Sequence, residues 1–230
     1  MGAGRPVGSS TQAQGPIRRA EPFEDGTGPK RLLNGSSAGV RSMALVAKLK
    51  GLGLYAAIVG IEGFENKGVE EVLATLRSAS RSKCVQAFDA DSIAGPEHLI
   101  CAAANAVMGF KAKPISRALE TELLLYASGQ RQIESAIGMV GLKPETKNLA
   151  LVVIDDDEER LSESVGAISS SIGGRPSDSI LSISSREKLE GIVKAFGISK
   201  EEMKGFVGKD PSEAVKKAVI ERSAILAVRS

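Results

Sequence analysis

From Leu54 onward the apolar positions fall into short runs and helical stripes. Residues 54–61 are an apolar run closed by Glu-Gly, which predicts a strand. Val69, Val72, Leu73 and Leu76 follow spacings of 0, 3, 4 and 7, the mark of an amphipathic helix. Residues 83–88 read as a second strand. Pro96 suits the first position of a helix whose buried face is Leu99, Ala103, Ala106, Val107 and Phe110. Residues 122–126 read as a third strand broken by Gly129, with Ile133, Ala136, Ile137 and Val140 on the helix that follows. Residues 149–154 are almost uninterruptedly apolar, as in a strand covered on both faces. Leu161, Val165, Ile168 and Ile172 form another helical stripe, stopped by Gly173 and Gly174. Ser184 with Glu187 reads as a capping box, and Ser199 with Glu202 repeats it. Asp210-Pro211 opens a last helix, and residues 224–228 read as a closing strand.

The pattern predicts an α+β fold: a single domain over residues 43–230, with a roughly five-stranded mixed sheet and six or seven packed helices. Several links are too short for uniform parallel crossovers. Residues 1–42 are rich in Gly, Ser, Pro and Arg, and are expected to be a disordered extension. Met43 is then the expected true start, or the first 42 residues are a dispensable tail. Arg18, Arg19, Lys30 and Arg31 would suit a basic arm, but Glu21, Glu24 and Asp25 dilute it, so a solvated tail is the plainer reading.

Composition narrows the function classes. A net charge of +2 over 230 residues excludes neither nucleic acid nor an acidic partner, so only a local patch could matter. With no tryptophan and 3% aromatic residues, a broad stacking platform for single strands is not expected. No run approaches the ~20 apolar residues of a membrane span. The N-terminus has no apolar signal core, and a cytoplasmic location is expected. The two cysteines, Cys84 and Cys101, are expected as buried thiols rather than a lone disulfide, and no zinc site or cofactor is implied.

Several chemical motifs are weak. Gly51-x-Gly53 precedes a strand instead of closing one, the wrong order for a dinucleotide fingerprint. Residues 205–209 resemble a phosphate loop, but Asp210 stands where Ser or Thr should bind magnesium. Asp155, Asp156, Asp157, Glu158 and Glu159 follow the buried strand and could hold a metal or act as acid and base. That would make the chain a stand-alone enzyme. The plainer reading is a helix start, whose positive pole favours acids. His98 precedes Cys101 by one helical turn, which suggests an imidazole–thiolate pair, although the surrounding face is apolar and favours a hydrogen-bonded structural histidine. Contact with RNA through its ring lies between these.

The stretch 123–137 carries more. An apolar strand ends in Ser128-Gly129, and a helix begins with Gln130-Arg131-Gln132. Helix starts leave backbone N–H groups open and favour anions. Small residues permit close approach, and Arg131 can pair with phosphate bidentately. Lys111, Lys113 and Arg117 just upstream would thicken a basic patch. A solvated turn without a ligand remains the alternative at this level.

This stretch, with Phe88-Asp89-Ala90-Asp91 and Gly95-Pro96-Glu97-His98-Leu99, resembles the kinase-binding subunit of the KEOPS complex, the PRPK-binding protein family. The resemblance spans roughly residues 54–228. It is specific over 88–107 and 122–141 and weak over 169–185, and Glu221-Arg222-Ser223-Ala224-Ile225-Leu226 resembles the family's closing strand. It implies a non-catalytic subunit that binds an atypical kinase and the 3′ CCA tail of tRNA. Through them it would serve a separate subunit that transfers the threonylcarbamoyl group to tRNA adenosine. RNA contact would then fall on Ser128, Gly129, Arg131 and Gln132, with Lys113, Arg117 and His98 around them. No catalytic or metal-binding residue and no membrane contact is implied.

Overall fold

A computed structural model describes residues 29–34, 42–205 and 210–228. In chain order the elements are β1 (Lys30–Asn34), β2 (Ser42–Leu49), β3 (Leu54–Glu62), α1 (Val69–Ala79), β4 (Cys84–Asp89), α2 (Pro96–Ala112), α3 (Leu119–Ser128), α4 (Ile133–Val140), β5 (Asn148–Asp155), α5 (Glu158–Ile172), β6 (Arg175–Pro176), α6 (Arg186–Ala195), α7 (Lys200–Lys204) and α8 (Pro211–Val228). Short 3₁₀ turns at Ala90–Ser92 and Asp178–Leu181 complete them.

The two most apolar runs, β3 and β5, pair antiparallel at the centre, with Ile58 opposite Val152. The strand order is β1-β2-β3-β5-β4, and β6 adds to the far end of β3. Side chains alternate between two faces, as a period of two requires. Ala56, Ile58, Ala150, Val152 and Ile154 face the core shared with α2, α3, α4, α6 and α8. Ala57, Val59, Ile61, Leu149, Leu151 and Val153 face α1 and α5. Helices therefore cover both faces, which is why β5 shows no polar interruption. Each Leu, Ile or Val buried this way contributes roughly 1.5–3 kcal/mol.

The α+β class and the five-strand main path match the sequence expectation. Three of the five strands coincide, but every described pairing is antiparallel, so the sheet is more uniform than a mixed one. The segment expected as a strand at 122–126 is the middle of α3. That helix is buried on all sides from Glu122 to Ser128, so no polar stripe betrays its period. Likewise 224–228 continues α8 rather than forming a strand. The missing strands are β2 and β1. β2 makes a hairpin with β3 around Gly51 and Gly53, whose φ of 73° and 67° suit a turn. β1 pairs with β2 inside the stretch expected to be unstructured, and it carries Lys30 and Arg31. The rest of the expected basic arm lies outside the described residues, as do residues 206–209 of the loop weighed above.

Side-chain caps mark the starts of α6 and α7. Ser185, not Ser184, caps α6, its Oγ accepting the Lys188 N–H at 3.1 Å. Ser199 and Glu202 form the expected capping box on α7. Cys84 and Cys101 are both buried and not joined by a disulfide. Small residues let α2 lie close to α3: Gly109 faces the Tyr126 ring, and a Cβ there would run into it. The outer edge of β4 is closed by Gln86. Its Oε1 accepts the Ala87 N–H at 2.8 Å and its Nε2 donates to Glu120 O at 2.9 Å.

Candidate functional site

The end of α3 is fixed by its own backbone. Gly129 adopts φ 66° and ψ 19°. Its N–H donates to Tyr126 O at 3.3 Å, while the Gln130 N–H donates to Leu125 O at 3.1 Å. This is a Schellman ending, which requires a left-handed residue and so favours glycine. Ser128 completes it. Its buried hydroxyl donates toward Leu124 O at 2.8 Å and Leu125 O at 3.0 Å, and accepts the Gln130 N–H at 3.2 Å. The junction is therefore helix–turn–helix. Ser128 is committed to the turn, and the open N–H groups belong to the start of α4 beyond Gln132, which lacks a side-chain cap.

His98 supports the turn from behind. It is 0% exposed. Its Nδ1 accepts the Ala94 N–H at 3.3 Å, so the proton sits on Nε2, 2.7 Å from Ala127 O. That carbonyl is in the last turn of α3, where intrahelical donors run out. Burial pushes the His98 pKa down to about 4, against the pull of the Ala127 hydrogen bond. Its place among the expected RNA contacts is thus corrected: no face of the ring reaches solvent. Phe196 meets it edge-on, with ring centroids 5.9 Å apart.

In front of the turn lies a cleft of about 400 Å³. One wall is Ser128, Gly129, Gln130 and Arg131, continued by Met139 of α4. The opposite wall is Glu221, Arg222, Ile225 and Leu226 of α8, closed by Phe196 and Glu202. Gly129 makes the approach possible, since an added Cβ would stand 3.2 Å from Arg222 Cβ. Arg222 is held on its own helix and across the cleft. Nη1 donates to Ala218 O at 3.1 Å, and Nη2 to Gly197 O at 3.3 Å and to the Glu202 carboxylate at 3.0 and 3.2 Å.

Of the expected residues, Ser128, Gly129 and Arg131 line this cleft, while Gln132 is exposed and is not part of its lining. Lys113 and Arg117 do not join them. They lie before the start of α3, a helix of 10 residues and so roughly 15 Å long. Arg222, Glu202 and Phe196 were missed. Arg222 lies just before residues 224–228, which were expected as a strand; once α8 runs through to Val228, Ala218, Arg222 and Leu226 fall on one face.

The acidic run does different work. Asp157 caps α5, its Oδ1 accepting the N–H groups of Glu159 and Arg160 at 2.9 and 3.0 Å. Asp155 is buried and accepts Arg160 Nε and Nη2, the Asp157 N–H and the Lys83 N–H. Burial pushes its carboxyl up, but the Arg160 and backbone hydrogen bonds outweigh this and hold it below the usual carboxylate range. Asp156 pairs with Lys83 at 3.0 Å and with Arg160 at 2.6 Å. Among the described residues no group of three His, Cys, Asp or Glu side chains is placed to hold a metal ion. No described helix is long and apolar enough to cross a membrane.

A sequence model of the family described as kinase binding protein CGI-121 matches residues 64–227, which span α1 to α8 and the whole cleft. The chain belongs to the CGI-121 family. The regulatory protein Cgi121 of Methanocaldococcus jannaschii is 36% identical over 98 residues, covering 43% of this chain. The matched part is 60% of that relative's length, less than two thirds. Both descriptions name binding or regulation rather than a reaction.

Proposed function

We propose that the chain is a non-catalytic subunit of the KEOPS tRNA-modification assembly, binding its kinase and seating the 3′ CCA tail of tRNA in the α3–α8 cleft. The observation that carries this is the cleft, in which the Gly129 turn brings Arg131 and Arg222 onto facing walls. Single-stranded RNA needs phosphate contacts with a few flat or polar surfaces beside them, and a narrow cleft with two guanidinium-bearing walls supplies that chemistry. Membership in a kinase-binding family supports the kinase partner. An apolar docking face is offered by Ile133 and Ile137, one turn apart on α4 and each 45% exposed. Holding tRNA beside a second subunit raises the effective concentration of the adenosine at that subunit's site.

The test is co-purification with an atypical kinase and tRNA. Intact tRNA is expected to be retained, CCA-trimmed tRNA to be retained less, and Arg131→Glu to weaken retention by about tenfold, the worth of one charged hydrogen bond. Equal retention of trimmed and intact tRNA would overturn the tail-binding reading.

A further inference from the structure

We infer that Arg222 is the anion-receiving group of the cleft and that Glu202 is its internal competitor, occupying the side of the guanidinium that an incoming phosphate would take. The inference rests on the proposed RNA-tail reading for the class of ligand. It does not rest on that reading for the contact itself.

Two backbone carbonyls, Ala218 O and Gly197 O, hold the guanidinium in place whatever its third partner is. The third partner is Glu202, which bridges α7 to α8. The side chains are 24% and 42% exposed, so water reaches the pair and it is weak enough to exchange. A phosphate can bind a guanidinium through two parallel hydrogen bonds and is a matched competitor. Glu202 also has somewhere to remain. Its Oε2 accepts the Ser199 N–H at 2.8 Å while Ser199 Oγ accepts the Glu202 N–H at 3.1 Å. Releasing Arg222 therefore leaves the capping box of α7 intact. The formal charges of the lining cancel, two arginines (Arg131 and Arg222) against two glutamates (Glu202 and Glu221). A net positive surface therefore does not set affinity for a polyanion; beside Arg131, Arg222 contributes by exchanging Glu202 for the incoming anion.

The experiment titrates the full chain with CCA-ended tRNA at fixed salt. Glu202→Gln retains a capping-box side chain but loses the charge. It is expected to tighten binding about three-fold, the value of one exposed ion pair. Glu221→Gln removes the same charge from the same lining without touching Arg222 and is expected to tighten binding less. Arg222→Gln is expected to weaken binding and to abolish the gain from Glu202→Gln; Arg222→Lys replaces it if thermal melts show that Arg222→Gln does not fold. Equal gains from Glu202→Gln and Glu221→Gln, or a Glu202→Gln gain that survives without Arg222, would overturn the inference. Wild-type binding that ignores trimming sinks the tail reading but leaves the exchange at Arg222 open to the same comparison. If wild type binds no tRNA, only binding acquired by Glu202→Gln and lost with Arg222→Gln upholds it, and silence in both overturns it.

Discussion

At the β5–α5 turn each acid from Asp155 to Asp157 meets a partner within the turn or from Lys83 beside it. At the α3–α4 turn the end of α3 is equally well satisfied, yet the arginines nearby line a cleft shared with a helix from the end of the chain. The acidic turn is dense in charge and closed upon itself. The glycine turn is sparse in charge and open. Density of charge along a sequence thus says little about a ligand site. What matters is whether neighbouring residues neutralise one another locally or leave the task to a distant element, as Gly129 does by admitting Arg222.

The sharpest way to break this contrast is Asp155→Asn. Losing a buried carboxylate that holds Arg160 and two backbone N–H groups is expected to cost about 3 kcal/mol in urea unfolding, with tRNA retention by the folded protein unchanged. Normal stability with lost retention would move function to the acidic turn. Because the Asp155 carboxyl is held below its usual range in the fold, its stabilisation is present above the ordinary carboxylate pKa. It is lost as acid passes that value and the lower one.

The second test concerns the support behind the open turn. His98 is the chain's one histidine, and its pKa falls to about 4 in the fold. The unfolded chain takes up that proton near pH 6.5, so folding stability is full above this value and declines on acidification toward pH 4. The decline should total on the order of 3 kcal/mol, and in His98→Gln this part of the slope should vanish from a pH series of denaturation curves. A slope that persists would mean that His98 does not set it.

The two turns were unequally legible. The acidic run announced a helix start through residue type alone, and Asp157 caps α5 as that chemistry requires. The run Leu123-Leu124-Leu125 announced only burial. A short apolar stretch has no period to separate strand from helix once every side of it is covered. Leucine in place of β-branched residues was the available hint. The same ambiguity hid the end of α8, with Ile225 and Leu226, so one wall of the cleft could be read and the other only in part. β2 is apolar in sequence from Met43 to Leu49 apart from Lys48, but its pairing depended on recognising the glycine turn at 51–53 as a hairpin.

The smallest expected effect sharpens the role of the glycine. Gly129→Ala places a Cβ in a left-handed residue and 3.2 Å from Arg222 Cβ. It should cost about 1–2 kcal/mol in thermal unfolding. Gly129→Asn, which tolerates that backbone conformation better, should recover part of the loss, leaving the crowding against α8 as the remainder. Equal melting of Gly129→Ala and wild type would mean that the turn relaxes freely and does not fix the cleft.

Gln86 bends its amide back onto the strand that bears it and ties the free end to the first turn of α3. An intruding strand would have to evict that amide before it could pair along β4. The fold thereby discourages edge-to-edge addition on this side, where an open ladder would invite fibrils or swapped copies. Along this edge an incoming chain meets the tie to α3 before it meets a bare ladder.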